Sequence, residues 1–209
     1  MKSGTVVIII SICIGLVSCD QNQEENLYRA NRIYNSYNTV VLPQNQIDSI
    51  KQLFRQNNLS YANLQFYRFQ KDNLGYQHVR CSQFVNTLKV FTTDLIFHFD
   101  RTSKYYYLSG VLVDKIKLDT KQAMNCENVI AVFTDLLKLD NGLWNNADVT
   151  KKNYFEIEFG YYDLNVGESV APYFTKVWKI QPLNSEYPYA YINDRTAAVI
   201  YYDNGIRDF

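Results

Sequence analysis

The sequence predicts an α+β protein in which helices pack on antiparallel β-sheets. Two segments with helical spacing of apolar residues, 43–57 and 119–137, each precede a group of strand-like segments. The strand signal is clearest at residues 154–161, where side chains alternate with a period of two. A helix followed by antiparallel strands is typical of a helix that covers one face of a sheet. We therefore expect two consecutive modules, each with one helix on an antiparallel sheet.

The composition is that of a globular protein. Hydrophobic residues make up 47% of the 209 residues and charged residues 20%, which suits a packed core rather than disorder. The 21 basic and 21 acidic residues cancel, and without a basic surplus we do not expect the chain to bind nucleic acid. The 18 tyrosines are explained by the preference of aromatic residues for sheet surfaces, and a dedicated binding face is the alternative.

The first residues have the features of an export signal. Lys2 precedes an apolar run, Val6–Ile14, which is shorter than the roughly 20 residues needed to span a bilayer. The following residues 16–19 (LVSC) resemble the lipobox of bacterial lipoproteins. The resemblance implies that residues 1–18 are removed and that acyl chains are attached at Cys19, which anchors the protein in a membrane. An ordinary secretory signal is the alternative.

Residues 19–39 are expected to form a polar tether behind the acylated cysteine. They contain neither glycine nor proline, and Leu27–Tyr34 is compatible with a short helix. Glu24 and Glu25 follow Cys19 closely, where acidic residues favour surface display in some Gram-negative bacteria. We expect the protein in the bacterial cell envelope, anchored by lipid to the outer membrane. It lies on either the periplasmic face or the outer surface of that membrane.

Residues 40–118 form the predicted first module. Its helix begins at Pro43, where the missing N–H has no cost, and ends at Asn57 and Asn58. The strands expected after it lie around residues 64–69, in three segments of 78–110, and at Val111–Leu118.

In the middle one of those three segments, polar and apolar side chains alternate from residue 91 to residue 100. The polar side of this strand holds Thr92, Asp94, His98 and Asp100. The apolar side holds Phe91, Leu95, Phe97 and Phe99. This pattern predicts a strand with one buried face, from which only Ile96 departs.

Several short motifs in this module resemble one family, in the same order. They are His78-Val79-Arg80, Gln83, Val90, the strand Ile96–Asp100 and Ser109-Gly110. They resemble the fungalysin/thermolysin propeptide (FTP) module, which precedes secreted zinc metalloproteases. The family usually has glycine where this chain has Thr87, and again near Thr102-Ser103, so the resemblance predicts the strands but leaves the geometry of both turns open.

Residues 119–209 form the predicted second module. Its helix has a capping-box-like start at Asp119 and a face marked by Ala123, Ile130, Phe133 and Leu137. A loop is expected at Lys138–Lys152. Later strands are expected at Tyr173–Gln181, Tyr187–Ile192 and Ala198–Tyr202.

This second module resembles the PepSY domain that follows FTP in metalloprotease precursors. Val177–Ile180 stands where that family has its tryptophan strand. Ile192–Val199 stands where the family has an aspartate–alanine–x–threonine–glycine turn. Asn193 replaces the aspartate, Asp194 replaces the alanine and Ala197 replaces the glycine. The resemblance implies a cystatin-like helix-on-sheet architecture.

No catalytic, metal or cofactor site is expected. Neither of the two histidines lies in an H-E-x-x-H helix, and there is no G-x-S-x-G elbow or P-loop. We expect His78, Arg80 and His98 to hydrogen-bond across strands, because two histidines lack a third metal ligand. Strand alternation places Glu156 and Glu158 on a solvated face. Three further carboxylates are too scattered for a calcium loop: Asp114, Asp119 and Asp140.

Two cysteines remain once Cys13 is cleaved away and Cys19 is acylated. Cys81 and Cys126 fall on apolar faces and are expected to be buried as small hydrophobic residues. An exported protein can also join them in a disulfide.

The family resemblance implies a function. In the resembled precursors, these modules assist protease folding and block the active-site cleft. The sequence ends at Phe209 without a protease, so we expect an inhibitor or chaperone that acts in trans on a separate zinc metalloprotease. The alternatives are an envelope binding or scaffold lipoprotein without a protease partner, and an enzyme of unfamiliar type. The resemblance implies that a partner contacts the segment Asp203, Asn204, Gly205, Ile206, Arg207, Asp208 and Phe209.

Overall fold

The computed structural model describes residues 42–139, 154–183 and 185–206, together with the backbone of residues 29–34. The helices in these ranges are α1 (Gln44–Gln56) and α2 (Cys126–Leu139). The strands are β1 (Arg29–Tyr34), β2 (Leu64–Lys71), β3 (Gln77–Val85), β4 (Leu88–Phe99), β5 (Tyr105–Ser109), β6 (Tyr154–Asp163), β7 (Phe174–Pro182), β8 (Tyr189–Asn193) and β9 (Val199–Asp203). Within the described part of the chain, no helix is long and apolar enough to cross a membrane.

All nine strands belong to one sheet. Its order is β2-β3-β4-β6-β7-β8-β9, while β5 pairs with β4 and β1 pairs with β6. The pairs β1–β6 and β4–β6 are parallel, and the others are antiparallel. The predicted combination of two helices with a mainly antiparallel sheet is confirmed, but the expected pair of separate sheets is wrong. The proposed domain boundary between residues 118 and 119 stays a prediction.

A short parallel contact joins the two halves of the sheet. Lys89 and Val90 of β4 lie opposite Gly160 and Tyr161 of β6. A Cβ atom at Gly160 would lie 2.5 Å from the carbonyl oxygen of Lys89 and 2.7 Å from the Phe91 ring. The strands can approach this closely because residue 160 has no side chain.

Each helix covers its own group of buried residues. The α1 cluster comprises Leu42, Ile50, Leu53, Phe54, Val79, Cys81, Leu95, Phe97 and Phe99. The α2 cluster draws on α2, β6, β7 and β8, and it also includes Val85, Leu88 and Val90 from the β3–β4 hairpin. Because the same hairpin supplies residues to both clusters, the two cores are connected through β3 and β4.

The ends predicted for α1 are confirmed. The carbonyl oxygen of Pro43 accepts hydrogen bonds from the N–H groups of Gln46 and Ile47. At the other end, the Asn57 amide donates to the carbonyl oxygens of Leu53 and Ser103, at 2.8 and 2.9 Å. These bonds satisfy carbonyl groups at the helix end and tie that end to the turn before β5.

The start predicted for α2 is wrong. The helix begins at Cys126, and the Asn125 side chain accepts the N–H of Asn128 at 2.9 Å as its cap. Asp119 lies outside the helix and instead accepts a hydrogen bond from Lys176. The predicted core positions Ile130, Phe133 and Leu137 are buried, as expected.

The strand predicted at Val111–Leu118 is absent from the structure. This segment instead packs on the α2 cluster, where Ile116 is buried. The Gln83 side chain donates to the carbonyl oxygen of Val113 at 2.7 Å and accepts its N–H at 2.9 Å. Asn86 donates to the carbonyl oxygen of Ile116 at 3.1 Å. Side-chain amides therefore replace the backbone partners that a neighbouring strand would have provided.

The alternation predicted for β4 breaks at Phe91. Ser82 pairs with Asp94, but Phe84 pairs with Lys89, so β4 contains extra residues at this point. Leu95, Phe97 and Phe99 are buried as predicted. Phe91 instead lies against Tyr191, with ring centroids 5.2 Å apart.

The segment expected to be a tether is partly a strand. Residues 29–34 pair in parallel with β6, so the short helix expected at Leu27–Tyr34 is wrong. β6 offers an open edge beyond its contact with β4, and a strand satisfies the backbone groups of that edge. The predicted signal peptide, Cys19, the acidic pair and most of the Lys138–Lys152 loop lie outside the described residues.

Candidate partner-binding surface and histidine pair

The C-terminal segment expected to contact a partner begins at the end of β9. Asp203 lies opposite Tyr189 of β8 and accepts the N–H of Gly205 at 2.8 Å. Gly205 has φ +78°, and a Cβ atom there would lie 2.8 Å from Cγ of Tyr187. Ile206 follows with 49% of its surface exposed. The segment therefore folds closely over Tyr187, while residues 207–209 (Arg207, Asp208 and Phe209) lie outside the described residues.

A continuous group of aromatic side chains extends from this segment across the sheet. This group, the tyrosine surface, consists of Phe91, Tyr162, Tyr187, Tyr189, Tyr191 and Tyr201. Ring centroids are 5.8 Å apart for Tyr187–Tyr189, for Tyr189–Tyr191 and for Tyr189–Tyr201. Tyr162 continues the group at 4.9 Å from Tyr191. Since Ala190 and Ile192 of β8 are buried in the α2 cluster, the alternating tyrosines lie on the opposite face of the sheet.

Charged side chains lie beneath this surface. Lys89 Nζ is 3.4 Å from Glu158 Oε2, and both side chains are mostly buried. The other carboxylate oxygen, Oε1, is buried and has no hydrogen-bond partner among the described residues. The solvated position expected for Glu158 is therefore wrong, because strand alternation shows which face a residue is on but not whether that face is covered.

Burial changes the protonation chemistry of this face. It lowers the pKa of Lys179, whose Nζ lies 5.3 Å from the centre of the Tyr189 ring. It raises the pKa values of Tyr189 and Tyr191, so both phenols stay neutral well above neutral pH. The tyrosine surface thus offers uncharged aromatic faces and hydroxyl groups, which suits contact with another protein.

On the first half of the sheet, the two histidines are direct cross-strand partners. His78 of β3 lies opposite His98 of β4, and their Nδ1 atoms are 2.8 Å apart. His78 Nε2 lies 3.5 Å from the Asp72 carboxylate, and His98 Nε2 lies 2.9 Å from Ser109 Oγ. The predicted hydrogen bond between the histidines is present. Burial lowers the pKa of His98, and the charges of His78 and Arg80 lower it further.

Arg80 does not join the histidines. Its guanidinium group lies 3.4 Å from the Asp94 carboxylate, which also accepts a hydrogen bond from the Tyr67 hydroxyl. Burial, together with this hydrogen bond to Asp94, raises the pKa of Tyr67 to about 12. Arg80 and Asp94 therefore form a separate pair beside the histidines.

Sequence reasoning missed Asp72 as the partner of His78. Its Oδ1 atom accepts the N–H groups of Leu74 and Tyr76, both at 2.9 Å, in the turn between β2 and β3. An aspartate three residues before Gly75 is a recognisable turn signal. That signal predicts the turn, but the contact with His78 depends on the register of β2 and β3.

Cys81 is a free and fully buried cysteine of the α1 cluster. The disulfide between Cys81 and Cys126 that the sequence left open is therefore not formed. Burial raises the pKa of the Cys81 thiol to about 12, so its reactive thiolate form is scarce at neutral pH.

One protein family matches part of this chain. Residues 62–110 match the FTP family, the Fungalysin/Thermolysin Propeptide Motif. This match runs from just before β2 to the residue after β5, and it confirms the resemblance predicted for that segment. The PepSY resemblance of residues 119–209 stays a prediction.

Other comparisons add little. No curated protein matches the chain. Among solved structures, the chain is similar to the Bacillus megaterium YpeB C-terminal domain, with 7% identity and a TM-score of 0.42. That similarity covers 81% of this chain and 68% of the other. A TM-score this low supports no conclusion about fold or function.

Within the described ranges, no group of three or more histidine, cysteine, aspartate or glutamate side chains could hold a metal ion. The FTP motif is a propeptide motif rather than a catalytic one. The tyrosine surface with the adjoining C-terminal segment is the candidate contact site.

Proposed function

We propose that this chain is a non-catalytic, propeptide-like lipoprotein of the bacterial cell envelope that binds a separate zinc metalloprotease in trans. It inhibits the protease or assists its folding. The observation that carries the proposal is the match of residues 62–110 to the metalloprotease propeptide motif.

The proposed contact site is the tyrosine surface with residues 203–206. Three features support this choice. Tyrosine is enriched at protein interfaces, Tyr201 is 42% exposed, and Ile206 adds an exposed apolar side chain beside it. The C-terminal segment lies against the tyrosine surface where Gly205 packs closely on the Tyr187 side chain. A partner that contacts the segment would therefore also reach the tyrosines.

An inhibition assay tests this proposal. We expect residues 20–209 to slow a thermolysin-like protease at stoichiometric ratios. Tyr201→Ala and Ile206→Ala should weaken inhibition, because each removes an exposed side chain from the proposed contact site. Tyr106→Ala is the matched control, since Tyr106 is also exposed (54%) but lies beside His98 on the first half of the sheet.

The possible results separate the two candidate functions. If the protease digests or ignores the protein, the proposed protease partner is wrong. The second candidate, an envelope binding or scaffold lipoprotein, then gains support from the tyrosine surface alone. Cross-linking in envelope extract would identify its partner, and loss of the cross-link in Tyr201→Ala would locate the contact.

The membrane anchor is the second part of the proposal. Cys19 carries the acyl chains, and residues 20–28 hold the folded part near the outer membrane. Mass spectrometry of the processed N-terminus should find an acylated Cys19, and Cys19→Ser should release the protein from the membrane fraction. An unmodified N-terminus would contradict the anchor without affecting the proposed protease contact.

A further inference from the structure

The histidine pair brings two imidazole nitrogens together on the polar face of the first half of the sheet. The two Nδ1 atoms converge at 2.8 Å, and each outer Nε2 atom has its own polar partner, Asp72 or Ser109. Metal-binding histidines almost always bond their second ring nitrogen to a carboxylate, carbonyl or other polar group, which fixes the ring orientation. Here each outer nitrogen has such a polar partner, and the two inner nitrogens face each other across the strands.

From this geometry, we infer that His78 and His98 together bind one late first-row divalent metal ion, with Cu²⁺ bound most tightly. The inference is independent of the proposed protease contact. Water molecules complete the coordination shell, so the site needs no third protein ligand. The sequence did not predict a metal site because it lacked a third candidate ligand.

The distance between the nitrogens favours a tetragonal ion. Imidazole nitrogens bind such metals at about 2.0 Å, so two nitrogens at right angles around one ion are about 2.8 Å apart. The Nδ1 atoms of His78 and His98 already have this separation. Tetrahedral coordination requires about 3.3 Å at the same bond length, so Zn²⁺ needs the strands or rings to move apart. Imidazole ligands and square-planar geometry are both typical of Cu²⁺.

The hydrogen bonds around the pair allow both inner nitrogens to become ligands. Asp72 accepts a hydrogen bond from His78 Nε2–H, which leaves the Nδ1 atom of His78 with a lone pair. In the metal-free pair, one Nδ1–H lies between the rings. When metal binds, that proton moves to His98 Nε2, and the Ser109 hydroxyl turns to accept it. Each imidazole stays neutral, and no proton has to leave the protein.

The rings have to rotate before both can bind one ion. They are inclined at 75° to each other, with centroids 4.9 Å apart. Because the inner nitrogens now face each other, each ring has to turn about χ2 toward the ion, and this torsion is broad in histidine. The side chains are open to an ion, since 27% of the His78 side chain is exposed.

The surrounding charges have opposing effects. Arg80 lies close enough to His98 to lower its pKa, so its positive charge also disfavours a cation at the pair. Asp94 partly balances Arg80 through their ion pair, and Asp72 adds a second negative charge beside His78. Tyr106 and Tyr107 flank the His98 ring, with centroids 6.1 and 5.6 Å away. Removal of Arg80 should therefore tighten metal binding.

The test uses the full chain, purified through a tag without histidine, with Cu²⁺ alone and Zn²⁺ alone as probes. Because the chain contains only two histidines, every imidazole signal comes from this pair. We expect saturable 1:1 binding of Cu²⁺, tighter than Zn²⁺, and nitrogen hyperfine splitting from two imidazoles in the electron paramagnetic resonance spectrum.

Variants separate the site from other binding. His78→Asn and His98→Asn should each remove one nitrogen from the spectrum and weaken Cu²⁺ binding. Ser109→Ala should weaken it by roughly 10-fold or more, because the outer partner of His98 is lost. Ser103→Ala is the matched control, since its hydroxyl bonds Gln77 instead of a histidine. Arg80→Gln should bind Cu²⁺ more tightly.

Three results would overturn the inference. The first is the absence of saturable binding in the folded protein. The second is a spectrum with no imidazole nitrogen, which would leave the histidine pair as a hydrogen bond only. The third is equal binding by the wild type and the histidine variants. Ser109→Ala and Arg80→Gln keep both histidines, so they test the site even if a histidine variant does not fold.

Discussion

The indole N–H of Trp178 donates a hydrogen bond of 2.8 Å to the carboxylate of Asp194. Both residues are buried, and the same carboxylate accepts the N–H groups of Ala123 and Met124 at 2.9 to 3.1 Å. Lys176 Nζ lies 3.7 Å away as the nearest positive charge. Asp194 therefore joins β7, the turn between β8 and β9, and the segment that leads into α2.

Replacement of Asp194 by alanine should strongly destabilise the fold. The change leaves three N–H donors without their acceptor, and each hydrogen bond to a charged group contributes about 1.5 to 3 kcal/mol. We expect Asp194→Ala to lower the free energy of unfolding by at least about 3 kcal/mol in urea denaturation, since the losses are not additive. Asp194→Asn should cost less, because its amide oxygen still accepts one of these bonds.

Asp119→Ala provides the control for that experiment. Asp119 also pairs with Lys176, but its side chain is 68% exposed. An exposed pair contributes little because water and salt screen it, so this variant should remain close to the wild type. Equal losses in the Asp194 and Asp119 variants would show that the buried carboxylate has no special structural role.

Gln83 should contribute to stability through its two hydrogen bonds with Val113. Gln83→Ala leaves the carbonyl and the N–H group of Val113 without these partners. The expected loss is about 1 to 3 kcal/mol of unfolding free energy, measured in urea. Gln77→Ala is the control, because Gln77 bonds only a serine hydroxyl near the surface. A Gln83 variant as stable as the Gln77 variant would contradict the assigned role.

Lys179→Met should stabilise the protein at neutral pH. Burial lowers the pKa of Lys179 in the folded state, so the charged amine is disfavoured there relative to the unfolded chain. That penalty is complete below the folded-state pKa and disappears as pH rises to about 10.5, the unfolded value. We expect a gain of about 1 kcal/mol at pH 7 that vanishes at pH 11, measured by denaturation at both pH values.

Lys176→Met is the matched control on the same strand. Lys176 pairs with Asp119 and lies near Asp194, so its loss should destabilise rather than stabilise. If Lys179→Met were also destabilising at pH 7, contacts such as the one between Lys179 and the Tyr189 ring would outweigh the cost of burying the charge.

The local structure of this chain could be predicted more fully than its tertiary pairing. The ends of α1 followed from Pro43 and Asn57, because these residues act on neighbouring backbone groups. The strands β7, β8 and β9 followed from alternation. In contrast, the β4–β6 contact depends on the missing side chain of Gly160, and no sequence period encodes such a contact.

The candidate sites show the same difference. The sequence placed His78 and His98 on one polar face because they lie on alternating strands. It could not show that they are opposite each other, since the register is set by the whole β3–β4 hairpin. Likewise, Asp194 occupies a turn position recognised in the sequence, but its three donors come from residues 16 to 71 positions away.

The turn between β3 and β4 contains a strained residue at a position that favours glycine. Asn86 has φ 51° and Thr87 has φ 70°, so both are in the left-handed region. Asn-Gly is the preferred pair for this hairpin turn, and a β-branched threonine with positive φ is unfavourable by about 1 to 2 kcal/mol. Thr87 therefore holds a backbone conformation that glycine adopts without strain.

Thr87→Gly should consequently raise the free energy of unfolding by about 1 kcal/mol, because relief of strain exceeds the added flexibility of the unfolded chain. Urea denaturation of the variant and the wild type measures this gain. Thr120→Gly is the matched control, since Thr120 is exposed and its φ is not positive. That change should lower stability by up to about 1 kcal/mol. Losses of equal size in both variants would mean that Thr87 adopts its left-handed conformation without strain.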